Sequence, residues 1–223
     1  MTAPLLQTSI GDFPLYEYRL TLDGRSWSFL HTGAVFTLDQ ENQYLKSEGE
    51  RAPYGVMLWP ASIALAHDLR TRSESLRGKR VLELGAGTGL PGIVAASFGA
   101  RVLQIDRSQV ALHVCAMNIE RNAVTGLDVV GADWETFQSG HKFDVILGSD
   151  VLYVTTMHDR LREICDAYLA PGGVVLFSDP LRSQSLPMLE AMEASGWRVT
   201  LAKWSIQLES GTRSVAVYEA TRR

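Results

Sequence analysis

Hydrophobic and polar positions alternate with a period of two near the start of the chain. Residues 15–38 read LYEYRLTLDGRSWSFLHTGAVFTL, and the Asp23-Gly24 pair separates two alternating runs. A two-residue turn of this type between alternating segments is typical of a β-hairpin. We therefore predict one or two N-terminal hairpins, followed by a polar loop over residues 39–53.

A regular exchange of apolar strands and helical segments begins after Gly78. Before it, Pro60 opens an amphipathic helical pattern. The later pattern predicts strands at 79–84, 101–105, 127–130, 143–148 and 173–178, and helices at 90–98, 108–122, 157–169 and 185–194. Two further strand-like runs, 197–208 and 213–220, have no helix between them and should form an antiparallel hairpin. The predicted fold is α/β, with a doubly wound, mostly parallel, seven-stranded sheet and an N-terminal β-hairpin extension.

Composition narrows the class of protein without identifying it. A chain of 223 residues that is 46% hydrophobic is large enough for one domain, which we divide into an N-terminal β extension at 1–53 and a core at 54–223. A net charge of -4 does not favour a nucleic-acid partner. No leader or membrane-spanning stretch is recognised, so we expect a cytoplasmic protein with no membrane partner, monomeric by default. Cys115 and Cys165 lie in apolar segments and are interpreted as buried free thiols.

A glycine-rich turn follows the first strand of the core. The stretch Val81 to Gly92 reads VLELGAGTGLPG, and ligands bind at the carboxyl ends of parallel strands in sheets of this type. A phosphate-binding P-loop needs Gly-Lys-Ser/Thr, but Leu90 and Pro91 stand there instead. A dinucleotide fingerprint fits poorly, because Leu90 takes the place of its third glycine. The remaining form, E/D-x-G-x-G-x-G starting at Glu83, favours S-adenosylmethionine.

Polar residues at the ends of the next three strands support this interpretation. Asp106 follows VLQI at a distance suited to ribose hydroxyls, although it would also serve as a helix N-cap. Asp133 would accept a hydrogen bond from the adenine amino group, and Trp134 would stack on the ring or else be an ordinary packed aromatic. The following strand ends in SDVLY, with Asp150 and Tyr153.

These stretches together resemble a known family. GVMLWPAS before the glycine turn, VLELGAGTGLPGI, ID at 105–106, ADW at 132–134 and SDVLY at 149–153 resemble the class I, seven-β-strand S-adenosylmethionine-dependent methyltransferases. Within them the chain is similar to the lysine methyltransferase-like group, methyltransferase family 16, from about Gly55 onwards. The resemblance implies a Rossmann-like methyltransferase fold, S-adenosyl-L-methionine as cofactor and a protein lysine as acceptor. A small-molecule N- or O-methyltransferase acting on a small amine or hydroxyl is the alternative.

The resemblance also implies site residues. Asp150 and Tyr153 would be catalytic and lie at the substrate lysine, although a helix N-cap and simple packing are their structural alternatives. The predicted cofactor-binding set is Trp59, Glu83, Gly85, Ala86, Gly87, Thr88, Gly89, Asp106, Arg107, Asp133, Trp134 and Ser149. No metal site is predicted, because no cluster of ligand residues has suitable spacing. Arg182 is interpreted as a solvated loop arginine in preference to a residue of the acceptor mouth.

Other classes of protein are less well supported. Enzymes that methylate exocyclic amines of nucleic-acid bases usually carry Asn/Asp-Pro-Pro-Tyr where this chain has Ser149 to Tyr153 without a proline. No cysteine stands at a predicted strand end, which disfavours methylation of a pyrimidine carbon. An NAD-dependent dehydrogenase and a methyltransferase-like binding module without activity remain as further alternatives.

Overall fold

The computed structural model describes residues 5–8, 11–33, 54–208 and 211–223. The predicted loop at 39–53 and the end of the alternating run, 34–38, lie outside the described residues.

Two antiparallel hairpins form the N-terminal part of the described chain. Strand β1 (Leu5–Thr8) pairs with β2 (Gly11–Pro14), and β3 (Tyr16–Leu22) pairs with β4 (Arg25–His31). Asp23 and Gly24 have φ angles of 47° and 82°, as a two-residue turn with positive φ at both central positions requires. The predicted turn is confirmed, and two hairpins are present.

A seven-stranded sheet carries the rest of the chain, in the order β10-β11-β9-β8-β5-β6-β7. Its strands are β5 (Arg80–Leu84), β6 (Arg101–Asp106), β7 (Leu127–Gly131), β8 (Phe143–Ser149), β9 (Leu169–Asp179), β10 (Trp197–Leu208) and β11 (Gly211–Arg222). Strands β5 to β9 all run parallel to one another. Strand β11 lies between β9 and β10 and runs antiparallel to both. The doubly wound, mostly parallel sheet with a C-terminal hairpin is therefore confirmed.

Six α-helices connect these strands within the described residues. They are α1 (Pro60–Thr71), α2 (Ser73–Leu76), α3 (Leu90–Ser97), α4 (Gln109–Arg121), α5 (His158–Tyr168) and α6 (Leu186–Ala194). Pro60 begins α1, where its fixed φ suits the first turn and its missing N–H costs nothing. The short helix α2 was not predicted. Strand β9 begins earlier than expected, because Leu169 already pairs with Phe143 of β8.

Both faces of the sheet are covered by apolar side chains. One core combines the sheet with α1 and α3 and includes Trp27 and Phe29 of the hairpin β3–β4, so this hairpin packs on the same face as those helices. The second core lies against α5 and α6. Cys115 and Cys165 are buried free thiols, as predicted. None of the helices in the described ranges is long and apolar enough to span a membrane.

Candidate active site

The glycine turn between β5 and α3, residues 85–89, is called the glycine loop below. Gly85, Gly87 and Gly89 have φ angles of 70°, 55° and 81°, a region that only glycine enters without strain. The N–H groups of Gly85 and Ala86 both donate to the carbonyl of Ile105 in β6, at 2.9 and 3.0 Å. The loop is thereby fixed across the carboxyl ends of two adjacent strands.

The glycines also leave space where a side chain would collide with its neighbours. A Cβ atom on Gly87 would lie 2.9 Å from the carbonyl oxygen of Gly55. One on Gly85 would lie 3.2 Å from Val151 and 3.3 Å from the ring of Trp134. The loop therefore presents bare backbone beside an aromatic ring, a cradle that suits a nucleoside with an amino-acid tail.

Glu83 lies beneath the glycine loop and is fully buried. Its Oε2 accepts a hydrogen bond from the N–H of Gly92 at 3.0 Å and another from the side-chain amide of Gln104. Burial raises the pKa of Glu83 to about 8. Its Oε1 is also buried and has no hydrogen-bond partner among the described residues. Cofactor contact at Glu83 stays a prediction.

Asp106 closes β6 and holds the glycine loop. Its Oδ2 accepts from the N–H of Gly87 at 2.9 Å, and its Oδ1 accepts from the N–H of Ser108 at 2.8 Å. Burial raises the pKa of Asp106. The N-cap of α4 is Ser108, whose hydroxyl accepts from Ala111, so the helix-cap alternative for Asp106 is wrong. Arg107 follows it on the exposed surface, and ribose binding at Asp106 stays a prediction.

Trp134 and Asp133 follow β7, and Trp134 lies against the glycine loop. Trp134 is half-buried and its ring lies against Gly85, while its carbonyl accepts from Arg160 at 2.8 Å. The Asp133 carboxylate accepts from the N–H of Glu135 at 2.9 Å and so closes its own turn. Trp134 therefore lies at the glycine loop, and the adenine contact of Asp133 stays a prediction.

Asp150 stands immediately after β8 in a left-handed conformation, with φ 56°. Its N–H donates to the carbonyl of Ser178 in β9 at 2.8 Å, and the residue is buried. The next helical turn begins only at Thr155 and α5 at His158. Asp150 therefore caps no helix, and that alternative is wrong.

Arg182, which the sequence suggested was solvated, is buried against Asp150. Its Nη2 lies 3.1 Å from Asp150 Oδ2, and its Nη1 bonds Oδ1, with side chains only 8% and 5% exposed. The backbone N–H of Arg182 donates to Asp179 Oδ1 at 2.6 Å, which fixes the turn that carries it. The solvated interpretation is wrong, because the turn after β9 folds back over the end of β8.

Tyr153 completes this corner. Its side chain is 43% exposed, and the guanidinium carbon of Arg182 lies 5.6 Å from its ring centroid, within the range of a cation–π contact. Burial and then the neighbouring charge of Asp150 raise the pKa of the Tyr153 phenol. An aromatic ring, a carboxylate and a guanidinium thus meet at the carboxyl end of β8.

The remaining predicted residues surround the same edge of the sheet. Trp59 precedes α1, and its indole N–H donates to the carbonyl of Tyr54 at 3.2 Å. Helix α1 is tied to the Asp150 corner, because the Ser178 hydroxyl donates to the carbonyl of Ala61 at 2.8 Å. Ala86 and Thr88 are buried, and Ser149 is half-buried as the last residue of β8.

Several buried polar residues that organise the site were not predicted. They are Gln104, Asn118, Ser178 and Asp179, each with a relative exposure of zero. The sequence carries a signal for two of them. Gln104 is a polar residue within the strand VLQI, and Ser178 ends the apolar run of β9. A polar residue inside a doubly covered strand must find hydrogen-bond partners. No group of three or more His, Cys, Asp or Glu residues in the described part of the chain has metal-binding geometry.

The sheet order, the glycine loop and the acidic residues at the strand ends define a class I S-adenosylmethionine-dependent methyltransferase fold. The 16S rRNA N2 G1207 methyltransferase (RsmC) of T. Thermophilus, solved with AdoMet and guanosine, has a TM-score of 0.62, covering 94% of this chain and 51% of that chain. Its 21% identity supports the fold alone.

The sequence comparisons identify the family. The sequence profile described as lysine methyltransferase matches residues 38–189. The protein N-lysine methyltransferase METTL21A of Mus musculus is 31% identical over 202 residues, covering 85% of this chain and 88% of the relative. The histone-arginine methyltransferase METTL23 of Xenopus laevis is 39% identical over 106 residues, and the match spans 45% of each chain, less than half of the relative's length. The chain belongs to the lysine methyltransferase family.

Proposed function

We propose that this protein transfers a methyl group from S-adenosylmethionine to the side-chain amine of a protein lysine. The observation that carries the proposal is the corner at the end of β8, where Asp150 and Tyr153 lie together at the carboxyl edge of the sheet that also holds the glycine loop. Family membership supports it, and METTL21A and METTL23 are both named for protein acceptors.

The cofactor fits the residues at this edge. S-adenosylmethionine supplies a methyl group that is already activated on a sulfonium sulfur. The bare backbone at Gly85 and Gly87, the ring of Trp134 and the Asp106 carboxylate would hold its nucleoside. The predicted contact of Glu83 with its ammonium would require the buried carboxyl to ionise and become accessible as the cofactor binds. The protein's contribution is then alignment and exclusion of water, because orientation alone can lower such a barrier greatly.

The acceptor nitrogen needs a lone pair. A lysine ammonium, with an ordinary pKa near 10.4, has none. A carboxylate has about four lone-pair positions, so Asp150 can accept a hydrogen bond from the amine while it is held by Arg182. Because its pKa is raised, the Tyr153 phenol stays protonated and acts as a wall that offers its oxygen or ring face to the partly cationic nitrogen, rather than as a base. The surplus proton of the amine therefore leaves to solvent before the amine aligns.

Arg182 favours entry of the neutral amine. The buried Asp179 carboxylate also lies 3.8 Å from the Arg182 guanidinium, on the side away from the acceptor in this proposal, so an ammonium at Asp150 would bring a second positive charge next to that guanidinium. A neutral amine brings none. We expect kcat/KM for the acceptor to rise between pH 7 and pH 9, and a flat profile would contradict this account.

A labelled methyl donor tests the proposal and its alternatives. The protein is incubated with labelled S-adenosylmethionine and either lysate proteins or the small molecules that pass a size filter. Label in the small-molecule fraction alone would favour the small-molecule N- or O-methyltransferase. Hydrolysis of labelled proteins then separates methyl-lysine, which we expect, from methyl-arginine, which the METTL23 similarity makes the second candidate. Asp150→Asn is the inactive control.

We further propose that the protein acts in the cytoplasm, as a monomer and without a nucleic-acid partner. The two buried free thiols support a reducing compartment, and the net charge of -4 gives no broad attraction for nucleic acid. Fractionation of cells tests the location, and light scattering of the purified protein tests the monomeric state.

A further inference from the structure

Asn118 of α4 and Asn122, the residue that caps its C-terminus, lie one helical turn apart and bind strand β4. The Asn122 amide accepts from the N–H of Ser28 at 2.9 Å and donates to the carbonyl of the same residue at 2.7 Å. The Asn118 amide does the same at Leu30, with distances of 2.7 and 3.1 Å. The two side chains thereby act on β4 as a neighbouring strand would, and hold the hairpin β3–β4 on the core.

Asn118 makes a third hydrogen bond, and this one goes to the glycine loop. Its Nδ2 also donates to the carbonyl of Thr88, in the glycine loop, at 2.9 Å. Asn118 is fully buried, so an unmet group there would be costly. One acceptor and two donors are the full capacity of an asparagine amide in this arrangement, and all three are used.

Thr88 is a sensitive point of the glycine loop, because it lies between two glycines in left-handed conformations. Three successive residues of the loop are held through their backbone by side chains from β6 and α4. Asp106 accepts from the N–H of Gly87, Asn118 donates to the carbonyl of Thr88, and Gln104 donates to the carbonyl of Gly89 at 3.0 Å. Of these three side chains, only Asn118 also binds the N-terminal hairpin within the described structure.

A second connection runs in the same direction. The N–H of Thr32, just after β4, donates to the carbonyl of Val56 at 2.9 Å. The neighbouring Gly55 lies directly against the loop, since its carbonyl oxygen would be 2.9 Å from a Cβ on Gly87. The end of the hairpin is therefore linked to the glycine loop through backbone as well as through Asn118.

We infer that Asn118 is a positioning residue that couples docking of the hairpin β3–β4 to the cofactor-binding conformation of the glycine loop. The inference rests on the proposed use of S-adenosylmethionine. Coupling of this kind is reciprocal: the docked hairpin strengthens cofactor binding, and bound cofactor stabilises the docked hairpin. Asn118 acts through the carbonyl of Thr88 and contacts neither the acceptor nor the reacting atoms.

Calorimetry with S-adenosylhomocysteine on the full chain tests the coupling. Asn118→Leu keeps a similar volume and removes all three hydrogen bonds. Asn122→Leu removes the two bonds to Ser28 and one to the Asn118 carbonyl but none to the glycine loop, and is the matched control. We expect Asn118→Leu to weaken binding roughly tenfold, within the usual range of coupling between sites, and Asn122→Leu to change it less than about twofold. Both variants should show lower thermal stability, so stability alone does not distinguish them.

Equal affinities of the wild type and Asn118→Leu would overturn the inference and leave the proposed function intact. A wild type that does not bind S-adenosylhomocysteine would overturn the proposed function and the coupling with it. Equal weakening by both variants would show a general effect of hairpin docking and would also overturn the role of Asn118.

Hydrogen exchange of the wild type supplies a second measurement that does not require a variant to fold. Saturating S-adenosylhomocysteine should slow exchange of the Leu30 amide severalfold under conditions of local opening, because that N–H is bonded to Asn118. Amides of β10, at the far edge of the sheet, serve as the control. If Asn118 only supports the fold, S-adenosylhomocysteine should not change the exchange rate of the Leu30 amide. That result would refute the coupling.

Discussion

At the scale of single residues, Asp150 combines an uncommon backbone conformation with the proposed chemistry. Its φ of 56° is tolerated by aspartate and asparagine better than by most side chains. We therefore expect Asp150→Asn to fold and to bind S-adenosylhomocysteine within a few-fold of wild type. Its turnover should fall by about 10²-fold or more, because the amine loses the acceptor that orients its lone pair.

Labelled-methyl transfer and calorimetry measure the two quantities separately. Asp150→Ala should lose activity in the same way and also lose stability, because alanine is less suited to positive φ. Near-wild-type turnover of Asp150→Asn would remove the residue from the acceptor site.

The partner of Asp150 permits a test by paired variants. Arg182→Met would leave a buried carboxylate without its guanidinium, which typically costs about 3–5 kcal/mol. The double variant Asp150→Asn with Arg182→Met should be less destabilised than Arg182→Met alone, because the charge at position 150 is gone and only Asp179 still loses its guanidinium. Urea unfolding of the four proteins measures this coupling, and additive effects would show that the pair is not energetically linked.

Glu83 predicts a pH dependence of stability. Burial raises its pKa to about 8 from an ordinary value of 4.5, so the folded chain retains a proton that the unfolded chain loses. Stability from this group is full below pH 4.5 and is lost as the pH rises towards 8. In that window the wild type should lose about 1 kcal/mol per pH unit relative to Glu83→Gln, which has no proton to lose. Parallel pH profiles in urea unfolding would mean that Glu83 is ionised in the folded protein.

At the scale of elements, the glycine loop has backbone angles that other residues adopt only with strain. Gly87→Ala would strain a φ of 55° and press a Cβ to 2.9 Å from the Gly55 carbonyl. Gly78, just before β5, has a φ of 73° and open space around it, so Gly78→Ala is a matched control.

Both changes should cost about 1–2 kcal/mol of stability through the backbone. Only Gly87→Ala should also weaken S-adenosylhomocysteine, by roughly tenfold or more, since about 1.4 kcal/mol corresponds to a factor of ten. Calorimetry and thermal unfolding check the two effects. Equal affinities for the two variants would mean that the cofactor does not use this loop.

At the scale of the whole molecule, the N-terminal hairpin shares its core with the sheet. Phe29 is fully buried in the cluster that also contains residues of α1 and α3. Phe29→Ala should destabilise the whole chain by about 3–5 kcal/mol, and unfolding should remain one transition. Tryptophan fluorescence and far-ultraviolet circular dichroism should give the same midpoint. Separate transitions would make residues 1–53 an independent unit.

The sequence by itself determined most of the elements and the class of sheet that they form. The period of two around Asp23-Gly24 and the apolar runs separated by helical segments are local patterns, because each depends on residues within one or two turns or strands. The parallel sheet follows from that alternation, and the glycine loop follows from residues 85–89, whose spacing is visible without any structure. Trp134 was assigned to the same site because strand ends meet at one edge of a sheet.

Only the tertiary structure decided which polar groups meet. Arg182 lies 32 positions from Asp150, and Asn118 lies 88 positions from Leu30, so no local pattern joins either pair. Glu83 was expected at the ligand surface, yet packing placed it under the loop with Gln104. The physical reason is that a buried polar side chain takes whichever partner the packed elements bring within about 3 Å. That partner is chosen by how helices and strands dock, which a single sequence does not encode in any short stretch.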